Sequence, residues 1–453
     1  MRNWNDAVVF CVMAALGGFG GSVVSERWAS AEGPFDVFPE PASMRQLFDG
    51  QTLRGWHGQP QMDPAELASM PTAERDARRR GWAEQTERSW SVENGEIVSS
   101  GEGPFLVTDQ KFENYALSLE YKIQPLADSG VYLKDNPQVQ IWDPRKAEFF
   151  HLGSQLGSGG LFNNASGADG KNPLLMMDRP IGQWNTMQVL QIGSRTSVRL
   201  NGQIVVDHAV MENFWDRDEN LPRRGSVQLQ THGGEVRWRN LYAKELSAEV
   251  ANQVLLSHER VSYRSIFDGR TLEGWIGAVD DYQVVGGSLM CREGRGGLLC
   301  YEQPQQDFEV KLEFRLPSGG NNGLAIRTPL DVDPAYEAMC ELQILDNADP
   351  AYAGIDPRQR HGSAYGMVAA RRGYLRPAGQ WNFQHVRVHG SRVEVELNGY
   401  SILDADLSTV DQTLDDKPHP GLRRTEGYFG FAGHSDPVEF RSVLLRQFVG
   451  VSR

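Results

Sequence analysis

The chain reads as an all-β protein built from two tandem copies of one β-sandwich unit, the first copy carrying a short helical insertion. Three observations predict this. Runs such as "YALSLEYKI", "FEVKLEFRL" and "VEVELNG" alternate apolar and polar residues with period two and end at Gly, Asn or Pro, the pattern of antiparallel strands. "FDGQTLRGW" at residues 48–56 returns as "FDGRTLEGW" at 267–275, seven of nine positions being identical at a separation of 219 residues. A chain of 453 residues with 40% hydrophobic content is long enough for two domains, each with its own core.

Taken in order, residues 1–31 read as a secretory signal peptide. Arg2 precedes an uncharged stretch over 7–24, and Ala29-Ser30-Ala31 is a small-x-small cleavage site before Glu32. Asp6 and the polar "SERW" depart from that pattern, so an uncleaved anchor is the alternative. The mature protein is expected in the periplasm or outside the cell, with no stable membrane partner once the segment is cut. Cys11 lies inside this segment, and no lipoprotein-type cleavage pattern surrounds it. "MDPAELASMPTAERDARRRGWAEQTER" at 62–88 has Asp-Pro and Pro-Thr starts followed by helix formers, which predicts one or two surface helices.

Further landmarks recur in the same order. "NYALSLEYK" matches "DFEVKLEFR", Ser129-Gly130 matches Asn322-Gly323, "VQIWD" matches "LQILD", and "GQWN" and "LNG" each occur twice. Domain one is therefore placed at 44–246, a charged connector at 247–262 and domain two at 263–448. Trp56, Trp184, Trp275 and Trp381 recur at matching positions and are expected in the cores. Cys291, Cys300 and Cys340 show no zinc-type spacing. Cys291 and Cys300 flank "REGRGG", and either pair across a hairpin or remain buried thiols.

Composition excludes some partners. Fifty-nine acidic against forty-five basic residues give a net charge of −14, which repels a phosphate backbone or an anionic lipid surface, and no basic block overrides it. Nucleic acid is not an expected partner.

"FDGxTLxGW", "ELQILDN", "HGSAYG", "AGQWN", "VELNGYSILDADL" and "FAGHSDPVEFR", in this order, resemble the 3-keto-disaccharide hydrolase family. Domain one resembles a variant of it through "GVYLKDNPQVQIWD", "GSGGLFNN", "ENFWDRDENLPRRG" and "LQTHGGEVRWRN". The resemblance covers nearly the whole mature chain. It implies a concanavalin-like jelly roll in each half and a bacterial exported protein that acts on, or binds, oxidised glycosides. The family often has a lysine where this chain has Arg371, so a role there that needs a titrating amine is not carried over.

In such a fold the outer, concave face of one sheet holds the carbohydrate. Alternation in "CELQILD" sends Leu342 and Ile344 to the core and leaves Glu341, Gln343 and Leu345 facing the ligand, with Asp346 at the strand end. Glu341 is then an acid or base candidate, as against a solvated strand carboxylate. "HGSAYG" supplies His361 as its partner, and Tyr365. Arg371, Arg372 and His434 are further candidates for contacts to sugar oxygens, beside the readings of a covered surface for the arginines and a loop cap for the histidine. A ketone at carbon 3 acidifies the hydrogen on carbon 2, so elimination of the glycosidic oxygen and re-addition of water need a base, an acid and a stabiliser of the enolate. Tyr365, Arg371 and His434 are the expected enolate donors. A divalent cation is an alternative Lewis acid, but Asp280, Asp281, Asp331, Asp333 and Asp346 match no recognisable metal loop.

Two rival classes remain. A two-carboxylate jelly-roll hydrolase needs a second acid, where "CELQILD" has Gln343. A non-catalytic, lectin-like binding protein is compatible with tandem jelly rolls. Aligning the halves without a gap at a separation of 203 residues turns Glu341 into Gln138, His361 into Ser158, Tyr365 into Phe162 and Leu345 into Trp142. Domain one is accordingly expected to have lost the acid–base groups and either to bind carbohydrate, through Gln138, Gln140, Trp142 and His232, or to pack against domain two and complete its cleft with the helical insertion, the alternative being a covered and inert concave face.

Overall fold

The computed structural model describes residues 38–448, so the segment expected to be a signal peptide, with Cys11, lies outside the described residues. Among the described residues no helix is long and apolar enough to cross a membrane. Each half is a sandwich of one five-stranded and one eight-stranded antiparallel sheet.

In domain one the small sheet runs Trp56–Gln59, Phe105–Phe112, Gly225–Leu229, Asp128–Leu133, Asn136–Trp142. In domain two it runs Trp275–Gly277, Gly296–Tyr301, Tyr428–His434, Asn321–Thr328, Cys340–Leu345. The order is the same, and so is the register: Gly130 pairs with Gln140 as Gly323 pairs with Gln343. The inner faces form the cores. Val310, Leu312 and Phe314 of the large sheet meet Leu324, Leu342, Ile344 and Phe431 of the small one, and Phe431 stacks on Phe440 at 4.0 Å. The expected division in "CELQILD" therefore holds: Leu342 and Ile344 are core, and Glu341 is on the other face.

The insertion forms two helices, Pro64–Ser69 and Thr72–Ser89, which roof a cavity of about 880 Å3 against Trp56–Gln59 and the strand beside it. Asp63 caps the first helix by accepting from the Ala65 amide, with Pro64 at its first position. Trp56 and Trp275 are in the cores as expected. Trp184 is not: it is half-buried on the outer face of the large sheet, with Arg239 at 4.0 Å and Lys122 at 4.5 Å from its ring. Trp381 is buried under Arg441 and Arg315 in the same way, so these two rings satisfy their faces with cations. Cys291, Cys300 and Cys340 are free and buried, which decides against a bridge.

The connector is not an open linker. Ala248–Ser257 is a helix whose Ala251, Val254 and Leu255 pack with Met44, Ala116, Leu190 and Ile192 of domain one and Phe383 of domain two. Its apolar residues recur at the spacing of one helix face. Lys311 crosses from the large sheet of domain two to donate to the carbonyls of Leu255 and His258, neutralising the negative end of this helix. Asn252 donates to Glu313 and accepts from Arg376.

Two turns complete the interface. Ser194 N donates to Gly399 O, and a Cβ on Gly193 or on Gly399 would overlap the backbone of the opposite turn. Arg195 of domain one pairs with the buried Glu396 of domain two, whose carboxyl this guanidinium holds well below its usual range. Removing one partner of a buried pair leaves an uncompensated charge. Arg195→Met should lower the unfolding free energy by about 3–5 kcal/mol, measured by urea denaturation. A change below about 1 kcal/mol, the worth of a surface pair, would show that Glu396 is solvated in solution.

Candidate functional site

The outer face of the small sheet of domain two is built by strand alternation. Glu341 is the one carboxylate on its five strands. It is 2% exposed, and its Oε1 lies 3.7 Å from Nε2 of His434, at the end of Tyr428–His434. Gly323 makes this possible. A Cβ at that position would overlap the Glu341 carboxyl, so only glycine lets the side chain lie diagonally across the neighbouring strand. The neighbouring Glu341 carboxylate raises the His434 pKa against the opposing effect of burial.

Gln343 Nε2 donates to Asn321 Oδ1 at 2.6 Å on the same face. Tyr365 stands beside Glu341, its amide donating to the Glu341 carbonyl at 2.9 Å. The Tyr365 hydroxyl accepts from Gln359, and its ring meets Tyr336 edge-on at 6.2 Å. Lys417 donates to the Tyr336 hydroxyl at 3.0 Å. Tyr336 and Lys417 were not among the expected site residues. They arrive from a helical turn, Pro334–Glu337, and a loop, 29 and 52 residues away from Tyr365 in sequence, where no strand period points to them.

Other expectations fail. His361 is not the partner of Glu341: it is 2% exposed, stacked at 5.1 Å on the core residue Phe314, with Nδ1 accepting from the Leu345 amide. Burial pushes its pKa down to about 3, so it is a neutral core histidine. Asp346 accepts from the amides of Gly319 and Ala348, which makes it a turn cap instead of a ligand contact. Arg371 and Arg372 are exposed, and Arg371 is tied by its amide to Ile402 O in an edge strand of the large sheet, away from Glu341.

The acidic residues suggested for a cation are not gathered into a donor set. Among the described residues no group of three or more His, Cys, Asp or Glu is placed to hold a metal ion. Asp333, for example, caps a helical turn through the Ala335 amide.

Domain one presents the same face with different groups. His232 Nδ1 meets Asp128 Oδ2 at 2.9 Å, and Gln140 Nε2 donates to Asp128 Oδ1 at 2.7 Å. Gln138 donates to Gln140. The positions that match Glu341, His361 and Tyr365 are Gln138, Ser158 and Phe162, but domain one carries a carboxylate–imidazole contact of its own: the carboxylate sits on Asp128–Leu133, not on the strand that carries Glu341 in domain two. The Asp128 hydrogen bond raises the His232 pKa.

The model of the 3-keto-alpha-glucoside-1,2-lyase-like domain matches residues 43–244 and again 262–446. The chain belongs to this family, in two copies. A 3-keto-disaccharide hydrolase from Bacteroides thetaiotaomicron is 26% identical over 265 residues, covering 49% of this chain and 91% of that protein. Among solved structures, a putative glycosyl hydrolase from Parabacteroides distasonis shares 22% identity over 41% of this chain and 99% of its own, with a TM-score of 0.38. A carbohydrate-binding module from Bacillus subtilis shares 14% over 38% and 96%, with a TM-score of 0.26.

If Glu341 holds the proton on His434, its replacement by Gln must release it. An NMR titration of the Glu341→Gln chain should place the His434 pKa below that of the unsubstituted chain, since burial still lowers it and only the weaker pull of Asp333 and Asp436 is left to raise it. An unchanged value would separate the two groups.

Proposed function

We propose that domain two cleaves glycosides bearing a ketone at carbon 3, by elimination across C1–C2 followed by addition of water. The Glu341–His434 pair on the ligand face carries this reading. Family membership and the 3-keto-disaccharide hydrolase among its relatives support the substrate class.

The ketone makes the C2 hydrogen acidic. Glu341, ionised beside cationic His434, takes that proton. The C1–O bond breaks with its electron pair leaving on the glycosidic oxygen, which takes the proton from His434, and a C1=C2 enone remains. Water then adds its oxygen to C1 while Glu341 returns the proton to C2 and His434 recovers one from the water, so both groups end as they began. Tyr365, backed by Tyr336 and Lys417, is the donor toward the enolate oxygen. A two-carboxylate mechanism lacks its second acid among the strands of this face. The N-terminal segment supports export to the periplasm or the cell exterior.

Release of the second sugar from a 3-keto-disaccharide, with and without a chelator, tests the reading. Glu341→Gln should slow it at least about a hundredfold, and Tyr365→Phe roughly tenfold or more through a lost hydrogen bond to developing charge. The rate should fall as pH rises through the elevated His434 pKa, because the acid must hold its proton. No release by the unsubstituted chain under either condition, or full activity in Glu341→Gln, would sink it.

A further inference from the structure

The outer face of the small sheet of domain one closes into a chamber of about 210 Å3, below the roughly 300–1,000 Å3 of pockets that enclose drug-sized ligands, and so suited to a single ring. Its strand walls carry aromatic rings at two positions where domain two has aliphatic side chains. Trp142 stands in place of Leu345 and Tyr132 in place of Ala325, with Phe149 and Phe162 completing the lining. Trp142 is held by its indole N–H, which donates to Gly157 O at 2.8 Å, and by an edge contact to Phe162 at 5.4 Å.

Two amide oxygens on the lining of the chamber lack a donor among the described residues. Gln230 is 5% exposed, lines the chamber, and its side-chain oxygen has no hydrogen-bond partner among the described residues. The Asn163 side-chain oxygen, also on the lining, is in the same condition. Both side chains line the chamber, and a buried amide oxygen left unpaired costs about 1–3 kcal/mol, so a small side-chain rotation that brings either oxygen to a hydroxyl donor is favoured. Asp128 adds a carboxylate, 2.9 Å from His232. In domain two the position of Gln230 is Ala432, since Gln230 N donates to Gly130 O where Ala432 pairs with Gly323. These acceptors are therefore particular to domain one.

We propose that domain one holds a carbohydrate site of its own, which takes a neutral, fully hydroxylated pyranose ring. The aromatic side chains cover the apolar C–H face of the ring, and Gln230, Asn163 and Asp128 accept hydrogen bonds from its hydroxyls. A ketone brings no donor to such a lining, so the site does not require the oxidised ring on which domain two is proposed to act. The proposal stands independently of that chemistry.

The test uses the full chain and disaccharides without a ketone: maltose, cellobiose, lactose and trehalose, titrated to about 10 mM, ten times a millimolar Kd. Calorimetry and tryptophan fluorescence report binding. At least one sugar should bind saturably, and Gln230→Leu and Trp142→Ala should each weaken it tenfold or more. Binding should persist in Glu341→Gln, which alters domain two alone. Thermal unfolding is recorded for each variant, and Gln230→Leu, which keeps the shape of the side chain, decides the matter if Trp142→Ala lowers Tm. No binding by any of the four sugars, or binding lost in Glu341→Gln and kept in the domain-one variants, overturns the proposal. Failure of 3-keto-disaccharide turnover would leave this outcome unaffected.

Discussion

The site depends on a constraint that no ligand-facing residue sets: successive side chains of a strand lie on opposite faces of the sheet. In Cys340–Leu345 the core takes Cys340, Leu342 and Ile344, all without exposure. Glu341 and Gln343 then have no choice of side. A slip of one residue would drive the Glu341 carboxyl into the packing of Phe314 and Phe431 and expose two aliphatic chains, so the apolar residues fix the register of the polar ones. Gly323 supplies the remaining freedom by letting the carboxyl cross its own strand neighbour. The repeated Ser129-Gly130 and Asn322-Gly323 thus mark a steric requirement, because Gln138 lies over Gly130 in the same way.

The same alternation explains how the halves are joined. On Phe308–Arg315 the residues turned away from the core are Glu309, Lys311 and Glu313, and all three are buried. They are covered by the connector helix and by Tyr263, and each charge has a partner: Glu309 accepts from Tyr263, His385 and Arg446, Glu313 from Arg441 and Asn252, and Lys311 donates to the helix carbonyls. Against burial, which acts upward, His385, Tyr263 and Arg387 hold the Glu309 carboxyl down at about 2, while burial holds the His385 imidazole down at about 4. The contacts run through the connector helix, the large sheets and their turns, and through Lys134, Asn220 and Arg223 of domain one, which reach Tyr400, Ser401 and Gly373 of domain two. Neither small sheet spends its outer face on the interface, which leaves both concave faces available.

What the sequence disclosed follows from what periodicity encodes. The strands, the face of Glu341, the insertion helices and the doubled architecture all rest on local repeats, and they are legible. The positions that misled lie where the chain leaves a strand. His361 was expected beside Glu341 from its closeness to Tyr365, but a loop residue has no fixed face, and this one turns inward onto Phe314. Asp346 ends a strand, where an aspartate is as useful to backbone amides as to a ligand. Trp184 was assigned inward by its size, yet a large ring between two cations is stable on an outer face. The connector looked charged as a whole, although Ala251, Val254 and Leu255 were there to be read as a helix stripe.

The different carboxylates of the two halves have a geometric account. His434 ends its strand, one residue beyond the pairing of Asn322 with Gly433, and His232 lies three residues past Gly225–Leu229 in the matching register, so the residue each faces on the next strand is 321 or 128. An aspartate there bonds the imidazole directly, at 2.9 Å through Nδ1. When that residue is an asparagine, a carboxylate can still reach the ring from one strand further away, but only if it is the longer glutamate and only across a glycine, and it arrives at 3.7 Å against Nε2. Each half keeps a single carboxylate against its histidine and fills the other position with an amide, Gln138 in one and Asn321 in the other, which avoids two like charges on adjoining strands. The exchange is not neutral for a ligand. With Nδ1 engaged in domain one and Nε2 in domain two, opposite edges of the imidazole remain for the bound sugar, and a ring placed to meet one edge is misplaced for the other.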